Sequence, residues 1–457
     1  MSQAKRKVSE VTLQGSNYVK EQRREYSLYT LQSRAIPHAA DGLKAAARRV
    51  LWTARDGHHY KSASLAGATM PLHPHAAPET AINTLAAPYG NNIPLLASDC
   101  AFGTLLKPTA YGASRYTSVS IADFTKDVVF RDIEVIPMIE NYDGTLMEPK
   151  HFLPLIPMVF VNPQEGIAVG FASNILGRDP ATIVKHQIAW LEGKKKTPNA
   201  PPAMLPLDQY STGQKEDRLG ALKWEFRGAY TKDNATTITI TNLPYGLQHE
   251  KFVDRLIKME EEGKIQEFED NSKDYYQITV RFKKGELSQM SEDDVLSYLG
   301  LILLVGENVN VIDFTGERVW ETSYTEFVGA FTDWRLKWYV NRYQRLADLL
   351  AIDIQRYKDI LLAIKKDLGG VARKVKSRSE LKEFCETIGI VHLDYIVDLP
   401  VYRFTEEERK KVEKKLEEAE TLMKEYRALL KSEDKRRDVY IQELREVHHK
   451  LTKKLYK

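Results

Sequence analysis

Apolar side chains recur at alternating spacings of four and three residues through the C-terminal third of the chain. A first series runs through Leu336, Val340, Tyr343, Ala347, Leu350, Ile354, Tyr357, Leu361, Ile364 and Leu368. A second runs through Val412, Leu416, Ala419, Met423, Tyr426, Leu430, Tyr440, Leu444, Val447 and Leu451, with Glu433 and Arg437 as polar interruptions. This period predicts two long helices that pair as an antiparallel coiled coil.

The segment between these helices is apolar enough to need a partner surface. Gly369 and Gly370 are predicted to end the first helix, and 371–404 is expected to form a globular tip. An ordinary helical hairpin with a capping subdomain is the alternative interpretation.

The N-terminal part carries signals for three short helices. The first is predicted in 33–57, with Asp41 as N-cap and Gly57 just past its end. A second is predicted at 61–69, and a third follows the proline-punctuated turn within 70–88. Short helices joined by tight turns are typical of a helix-turn-helix core.

The middle of the chain mixes strands and helices. Residues 153–175 indicate strands and turns, whereas 185–229 have no clear pattern. Residues 236–282 predict a strand, a turn at 244–246, an amphipathic helix and two further strands. The chain is therefore expected to have an α+β multidomain fold.

Composition narrows the class of protein. A chain of 457 residues has room for two to four domains, and 66 Lys and Arg against 63 Asp and Glu give no global nucleic-acid signal. Only Cys100 and Cys385 are present, which excludes a disulfide framework and a cysteine-rich zinc site. The N-terminus lacks a signal-peptide core, and no apolar run approaches ~18 residues. We expect a soluble intracellular protein.

Basic and hydroxyl side chains cluster around the predicted N-terminal helices. Lys44 and Arg48 are four residues apart on one helical face and Arg49 flanks them. Arg34 precedes this helix, and Lys61 and Ser62 open the next. Such a set suits successive phosphates of a duplex. A solvated helix face explains the three residues of the first helix equally well.

His73 and His75 could form a metal pair with His58 or His59 nearby. No Cys or carboxylate stands at ligand spacing and Pro74 intervenes, so backbone-phosphate contact or turn structure is the favoured interpretation.

The dipeptide Arg115–Tyr116 lies among small and hydroxyl residues, in "ASRYTSVS". A phenol has a pKa near ~10 and is a poor nucleophile at neutral pH without help. An adjacent guanidinium favours the phenolate and neutralises charge on a phosphoryl transition state. Small neighbours would let a DNA backbone approach. The alternative is a surface tyrosine in a polar loop.

An ordered series of motifs decides between these interpretations. The motifs "SRAIPHAADGLKAAARRVL", "KSA", "HPH", "AFG", "SRYTSV", "NYDGT", "LPLIP" and "GIAVGFASNI" occur in that order. The chain resembles the breakage-reunion part of gyrase A subunits and of their relatives among the type IIA DNA topoisomerases, over residues 20–457 and most densely over 33–175. In its short length, with nothing after the coiled coil, the chain resembles the bacteriophage members of this family.

The resemblance implies roles for individual residues. Tyr116 would form a covalent link to the 5′ phosphate of cleaved DNA, with Arg115 assisting. Ile175 would wedge between base pairs and bend the duplex. The remaining matched positions would hold the DNA backbone around the cut, namely Arg34, Lys44, Arg48, Arg49, Lys61, Ser62, His73 and His75.

It also implies a domain organisation. Residues 1–29 would be an N-terminal arm, 30–184 a winged-helix breakage-reunion domain and 185–330 an α/β tower domain. Residues 331–457 would be the coiled coil, with a dimer gate at 371–404.

The expected partners are double-stranded DNA, a second copy of the chain, and separate subunits that bind ATP and Mg²⁺, in the cytoplasm of a phage-infected bacterium. The sequence has no G-x-x-x-x-G-K-[ST] loop and no counterpart of the family's Mg²⁺-binding carboxylates, so no metal site is expected in this chain. The acidic run 292–294 is better explained as a helix start.

Some positions depart from the family pattern. Ala76 and Ala77 replace the usual Gly-Asp after "HPH", Pro78 stands at the drug-sensitivity serine, and Ala97 stands where aspartate is common. These changes affect the expected drug sensitivity and leave Arg115 and Tyr116 untouched. Two other classes remain open: a non-catalytic DNA-architectural protein of the same fold, and a metal hydrolase built on the two histidines.

Overall fold

A computed structural model describes residues 31, 35–74, 78–168 and 170–456 of the protein. These residues form two compact units. The first contains the described residues up to Thr332 together with those from Leu444 onward, and the second is Asp333–Glu443.

The first unit begins with three short helices and a small antiparallel sheet. The helices are α1 (Ala45–Thr53), α2 (Ser62–Thr69) and α3 (Pro78–Ala86). The strands are β1 (Tyr60–Lys61), β2 (Leu96–Ala97) and β3 (Ser118–Ile121), in the order β1-β3-β2. The three predicted helices are thus confirmed, and their apolar faces, including Val50, Leu65 and Ile82, are buried together.

The predicted N-cap of the first helix was wrong. Lys44 occupies that position, without a side-chain cap. The carboxylate of Asp41 is fully buried, where it accepts from the backbone N–H groups of Leu43 and Phe152 and pairs with Arg48. A buried carboxylate needs such partners to offset the loss of water. The side chain of Asp41 is therefore used inside the fold and does not cap the helix.

Two hairpins and a helix follow. The hairpins are β4 (Met138–Glu140) with β5 (Met147–Pro149), and β6 (Gln164–Ala168) with β7 (Phe171–Ile175). Helix α4 (Pro180–Leu191) starts at Asp179, whose side chain accepts from the N–H groups of Ala181 and Thr182. The expected boundary between residues 184 and 185 falls inside this continuous helix.

Two four-stranded antiparallel sheets and a hairpin complete the strands. The elements are β8 (Ala203–Met204), β9 (Gln209–Glu216), β10 (Leu222–Arg227), β11 (Ala229–Lys232), β12 (Thr237–Asn242), α5 (His249–Glu261), β13 (Glu267–Asp270), β14 (Ile278–Arg281), α6 (Glu292–Leu299), β15 (Ile302–Val305), β16 (Val309–Ile312) and β17 (Val319–Thr322). The sheets have the orders β15-β10-β9-β8 and β11-β12-β14-β13, and β16 pairs with β17.

The predicted α/β unit in 236–282 is confirmed as β12, α5, β13 and β14. Its core includes Ile238, Phe252 and Val280, all fully buried. The run 292–294 is the first turn of α6, where the side chains of Ser291 and Asp294 form a capping box. The region 185–229 had no readable pattern because β9 is polar and mostly exposed along its length.

Long helices dominate the C-terminal third. They are α7 (Tyr324–Lys365) and α11 (Glu406–Lys431), with α8 (Leu368–Ala372), α9 (Arg378–Thr387) and α10 (Leu393–Val397) between them and α12 (Glu433–Thr452) after them. The expected boundary between residues 330 and 331 falls inside α7.

The predicted stop at Gly369 and Gly370 was wrong by a few residues. Both glycines lie within α8. The break is at Asp367, which has a left-handed φ of 45° and accepts from the N–H of Gly370. An aspartate tolerates this conformation because its short side chain bonds locally.

In the second unit, α7 pairs with the returning helices in antiparallel sense. The ring centroids of Tyr339 and Tyr440 are 5.1 Å apart, and Lys358 Nζ lies 3.0 Å from Glu420 Oε1. A separate apolar core joins the end of α7 to the segment around α9 and α10, through Ile360, Ala363, Leu368, Cys385, Ile390, Ile396 and Val412.

Candidate active site at the Tyr116 turn

Tyr116 is presented to solvent on a tight turn directly before β3. Its side chain is 69% exposed. The N–H groups of Tyr116 and Thr117 both donate to the carbonyl of Ala113, at 2.9 and 3.2 Å, which closes the turn. The guanidinium carbon of Arg115 lies 4.7 Å from the centroid of the Tyr116 ring. The structure therefore places the phenol and the guanidinium side by side in the open.

The turn is anchored on the first residues of α2. The N–H of Ser62 donates to the carbonyl of Thr117 at 3.0 Å, and the N–H of Ala63 donates to that of Ser114 at 3.2 Å. The hydroxyl of Thr117 donates to Ser62 Oγ at 2.8 Å. The first N–H groups of a helix have no partner inside the helix, and here the Tyr116 turn supplies them.

Ser62 was expected to contact the DNA backbone, and the structure gives it a different place. Its side chain is buried, with Thr117 as its hydrogen-bond donor. It supports the Tyr116 turn from below.

Two further side chains reach the same turn. Lys61 Nζ donates to the carbonyl of Tyr116 at 3.3 Å and is exposed. Ser114 Oγ donates to Glu79 Oε1 on α3 at 3.0 Å. The cations of Lys61 and Arg115 thus flank Tyr116, where they favour an approaching phosphate.

Arg48 and Arg49 were expected to bind phosphates, yet both are buried in ion pairs. Arg48 Nε lies 2.6 Å from Asp41 Oδ2, and Arg49 makes a two-point contact with Glu148, with its Nη2 2.9 Å from Oε1. Their guanidinium groups hold α1 against the loop at Asp41 and against β5. Neither is presented to a ligand in this structure.

Lys44 and His73 lie along one cleft of about 570 Å³ that also borders α3 and β6. Lys44 Nζ donates to the carbonyl of Glu165 at 2.6 Å, and burial lowers the pKa of its ammonium group. His73 is buried, with its ring centroid 5.5 Å from that of Tyr142. Arg34 and His75 lie outside the described residues.

Ile175 does not occupy the position that a wedge requires. Its side chain is fully buried, on the hairpin face where Ser173 Oγ donates to the carbonyl of Asn310. Ile167 pairs with Ala172 on the opposite face and is 88% exposed. Only an exposed side chain can enter a base step without opening the core. Ile167 belongs to the same "GIAVGFASNI" motif, and the two-residue strand period could have separated these two faces.

Sequence reasoning also missed a pair of buried histidines, His38 and His151, whose ring centroids are 5.2 Å apart. Burial, with a smaller contribution from Arg48, lowers the pKa of His38 to about 3. Burial lowers the pKa of His151 to about 4. No spacing rule connects residues this far apart in sequence.

Comparison with known proteins identifies the family. The family that comprises the A subunits of DNA gyrase and topoisomerase IV matches residues 34–445. The chain belongs to this family. It is a gyrase A-like subunit of the type IIA topoisomerases.

Relatives in the family differ in how much of their length they share. The chain is 28% identical over 408 residues to the DNA topoisomerase medium subunit of Enterobacteria phage T4, covering 85% of this chain and 89% of that protein. It is 24% identical to the DNA gyrase A subunit of Chlamydia muridarum, covering 94% of this chain but 55% of that protein. The chain therefore spans most of the phage relative and about half of the gyrase relative.

A solved structure shows the same fold. The Plasmodium falciparum topoisomerase II DNA-binding, cleavage and re-ligation domain superposes with a TM-score of 0.81 at 20% identity, over 96% of this chain and 66% of that one. None of the helices formed by the described residues is both long and apolar enough to cross a membrane.

Proposed function

We propose that this chain is the DNA-breakage-reunion subunit of an ATP-dependent topoisomerase and that Tyr116 is its nucleophile. The observation that carries the proposal is the exposed phenol of Tyr116, held on a hydrogen-bonded turn with Arg115 against its ring. The phenolic oxygen forms a bond to the phosphorus of a phosphodiester, and the bond from phosphorus to the 3′ oxygen breaks. The 3′ oxygen leaves with a proton as a hydroxyl, and the DNA 5′ end stays on Tyr116.

Arg115 and Lys61 assist by charge. Their cations flank Tyr116, so they stabilise the negative charge that grows on the phosphoryl oxygens. The turn is held in place before substrate arrives, and fixed groups lose little free energy in reorganising. Attack by the 3′ hydroxyl on the phosphotyrosine reverses the step and reseals the strand.

Ile167 takes the wedge role that was expected of Ile175. The exposed branched side chain enters a base step and bends the duplex. The bent duplex contacts more of the protein surface, and these contacts offset the free energy lost in unstacking the bases. Lys44 lies along the cleft beside the same hairpin and contacts the phosphate backbone of the DNA.

The remaining architecture fits the family's division into domains. The elements α1 to α3 with the β1-β3-β2 sheet correspond to the winged-helix domain, and the four-stranded sheets correspond to the tower. The paired α7, α11 and α12 correspond to the coiled coil. Val401 and Tyr402, at 73% and 58% exposure, give the tip an apolar surface for a second copy of the chain.

Mg²⁺ and ATP are assigned to partner subunits. Within the described residues, no three or more His, Cys, Asp and Glu side chains form a group that could hold a metal ion. Of the described side chains that contact the Tyr116 turn, Glu79 is a carboxylate, and it already accepts a hydrogen bond from Ser114. The resemblance to the family supports the proposal that a partner subunit supplies the Mg²⁺-binding carboxylates.

The decisive experiment traps the covalent adduct. The chain is mixed with its ATPase and metal-binding partners, Mg²⁺ and radiolabelled duplex, then quenched with detergent. We expect a labelled protein band whose DNA-bearing peptide contains Tyr116, and none from Tyr116→Phe. Tyr111→Phe serves as the matched control, since Tyr111 is a nearby half-buried tyrosine. If Tyr116→Phe forms the adduct at the wild-type rate, another residue is the nucleophile, and if the wild-type chain forms no adduct, it is a DNA-architectural protein.

A further inference from the structure

A second basic site lies in the first unit, built from α4 and α12. The two helices and the residues just past the end of α4 border an open pocket of about 500 Å³, whose lining includes Lys185, Lys194, Arg445, His448 and His449. It shares no lining residue with the cleft that borders Lys44 and His73.

The charge balance of this pocket is positive. Arg445 Nη2 lies 3.1 Å from Glu192 Oε1, so these two charges offset each other. Lys185 and Lys194 are exposed and contribute a net charge of two without any proton on the histidines. Asp179 is a carboxylate that acts on His448, and its side chain caps the start of α4.

His448 adds an unused hydrogen-bonding group. Its Nε2 atom is buried from solvent and has no hydrogen-bond partner among the residues that the structure describes. Burial and the neighbouring Lys185 lower the pKa of His448. An anion in the pocket would offset the field of Lys185 and let the imidazole donate to it.

Helix-dipole stabilisation accounts for His449 in the last turn of α12 but not for Lys185 and Arg445. Cations favour the last turn of a helix, where the carbonyl groups point outward. Lys185, however, lies in the middle of α4 (Pro180–Leu191), and Arg445 lies two turns before the end of α12 (Glu433–Thr452).

Further basic residues lie beyond the pocket lining. Arg445 and His449 are four residues apart on α12, about 6 Å along its axis, and Lys453 follows the end of the helix at Thr452. Lys196 follows Lys194 by two residues, and both are exposed. Phosphates of one DNA strand are spaced about 3.4 Å along the duplex axis, so basic residues spread over this surface suit several of them.

We propose that the α4–α12 surface binds the phosphate backbone of a DNA duplex, separately from the Tyr116 site. The inference goes beyond the proposed function, because it needs no chemistry at Tyr116. It gives the subunit contacts to DNA on two surfaces, of which only one carries the nucleophile.

Lysine footprinting tests the proposal directly. The full chain carrying Tyr116→Phe is acetylated with and without a 40-base-pair duplex, and modification is read by mass spectrometry. We expect Lys185 and Lys194 to be protected by DNA, while Lys232 and Lys273, exposed lysines of the same unit, stay reactive. Equal modification of Lys185 and Lys194 in both samples would overturn the proposal.

Charge reversal tests the energetics. In the Tyr116→Phe chain, K185E/K194E should bind the duplex more weakly and lower the slope of log affinity against log salt by about 1.8, or 0.9 for each lost phosphate contact. The control K232E/K273E carries the same change in net charge and should leave the slope unchanged. If the two double variants change the slope equally, the proposal that this surface binds DNA is wrong. If K185E/K194E lowers the melting temperature, the comparison is repeated with K185Q/K194Q.

A final experiment distinguishes binding of the DNA backbone from binding of free phosphate. Inorganic phosphate at millimolar concentration should give little protection of Lys185 and Lys194. If it protects them and DNA does not, the pocket is a small-anion site and the proposal is wrong.

Discussion

The hydroxyl of Thr117 donates a 2.8 Å hydrogen bond to the buried Oγ of Ser62. This bond ties the residue after Tyr116 to the start of α2, alongside the backbone bond from Ser62 N–H to the Thr117 carbonyl. The position of the proposed nucleophile therefore depends on a residue that is buried inside the fold.

We expect Thr117→Val to slow cleavage about tenfold to a hundredfold while duplex affinity stays close to wild type. The substitution keeps the shape of the side chain but removes the donor, and small displacements of a reacting group cost up to about a hundredfold in rate. Cleavage-complex formation with partners and Mg²⁺ measures the effect. Thr212→Val is the matched control, because it removes a 2.8 Å hydroxyl bond from Thr212 in β9 to Glu225 in β10. Equal loss in both variants would mean that Thr117 acts through general stability.

The two isoleucines of the β6–β7 hairpin should respond in opposite ways. Ile167→Ala removes an exposed side chain and should leave the melting temperature unchanged while reducing DNA bending and cleavage together. Ile175→Ala empties a buried site and should lower the free energy of unfolding by about 2–5 kcal/mol. A fluorescence bend assay and thermal unfolding, run on both variants, check this. Normal bending by Ile167→Ala would remove it from the wedge role.

The buried histidine pair predicts a pH dependence of stability. The pKa values of His38 and His151, about 3 and about 4, lie below the value of about 6.5 of an unfolded histidine, so the unfolded chain binds more protons. Their stabilisation is complete above about pH 6.5 and is lost as the pH falls toward 4, by up to about 1.4 kcal/mol per pH unit for each histidine.

His38→Asn keeps an acceptor for the Ala40 N–H, which now bonds to His38 Nδ1. The variant should flatten the fall in melting temperature between pH 6.5 and 5. His59→Asn changes an exposed histidine and should not. A fall as steep in the His38 variant as in wild type would show that other groups carry the dependence.

Sequence pattern predicted the regular parts of the fold for a physical reason. Helices and strands that bury one face must repeat their apolar residues at 3.6 or 2 positions, as in α7, α11 and the unit 236–282. The ends of elements depend on single residues. The left-handed conformation of Asp367 interrupts the helix two residues before Gly369, where the sequence predicted the end. Strand β9 was unreadable because most of its side chains are exposed.

The candidate site likewise has a part that the sequence could predict and a part that it could not. Arg115 and Tyr116 are adjacent in sequence, so a local turn is enough to bring their side chains together. The burial of Arg49 depends on Glu148, 99 residues away, and that of Ile175 on which hairpin face packs inward. Such burial is a property of tertiary packing, so basic residues at phosphate-like spacing were mistaken for surface residues.

The tip of the second unit should control association of two copies. Replacing Val401 and Tyr402 with glutamate places charges on its most exposed apolar surface and should weaken the homodimer. Light scattering at micromolar concentration measures the mass. Leu219→Glu, at a 93% exposed leucine of the first unit, is the control and should stay dimeric. A wild-type chain that is monomeric in the presence of DNA would contradict the dimer itself.

The proposed division of labour between subunits predicts what the purified chain cannot do. Its proposed nucleophile lies beside cations, and the Glu79 carboxylate that reaches the Tyr116 turn is already bonded to Ser114. Alone, the chain should bind duplex DNA in a salt-sensitive way, because the contacts are ionic, yet neither relax supercoiled plasmid nor hydrolyse ATP. Adding the ATPase and metal-binding subunits with Mg²⁺ should restore ATP-dependent relaxation, and adding them to Tyr116→Phe should not. Relaxation by the purified chain with no partner present would show that metal and energy are supplied from within it.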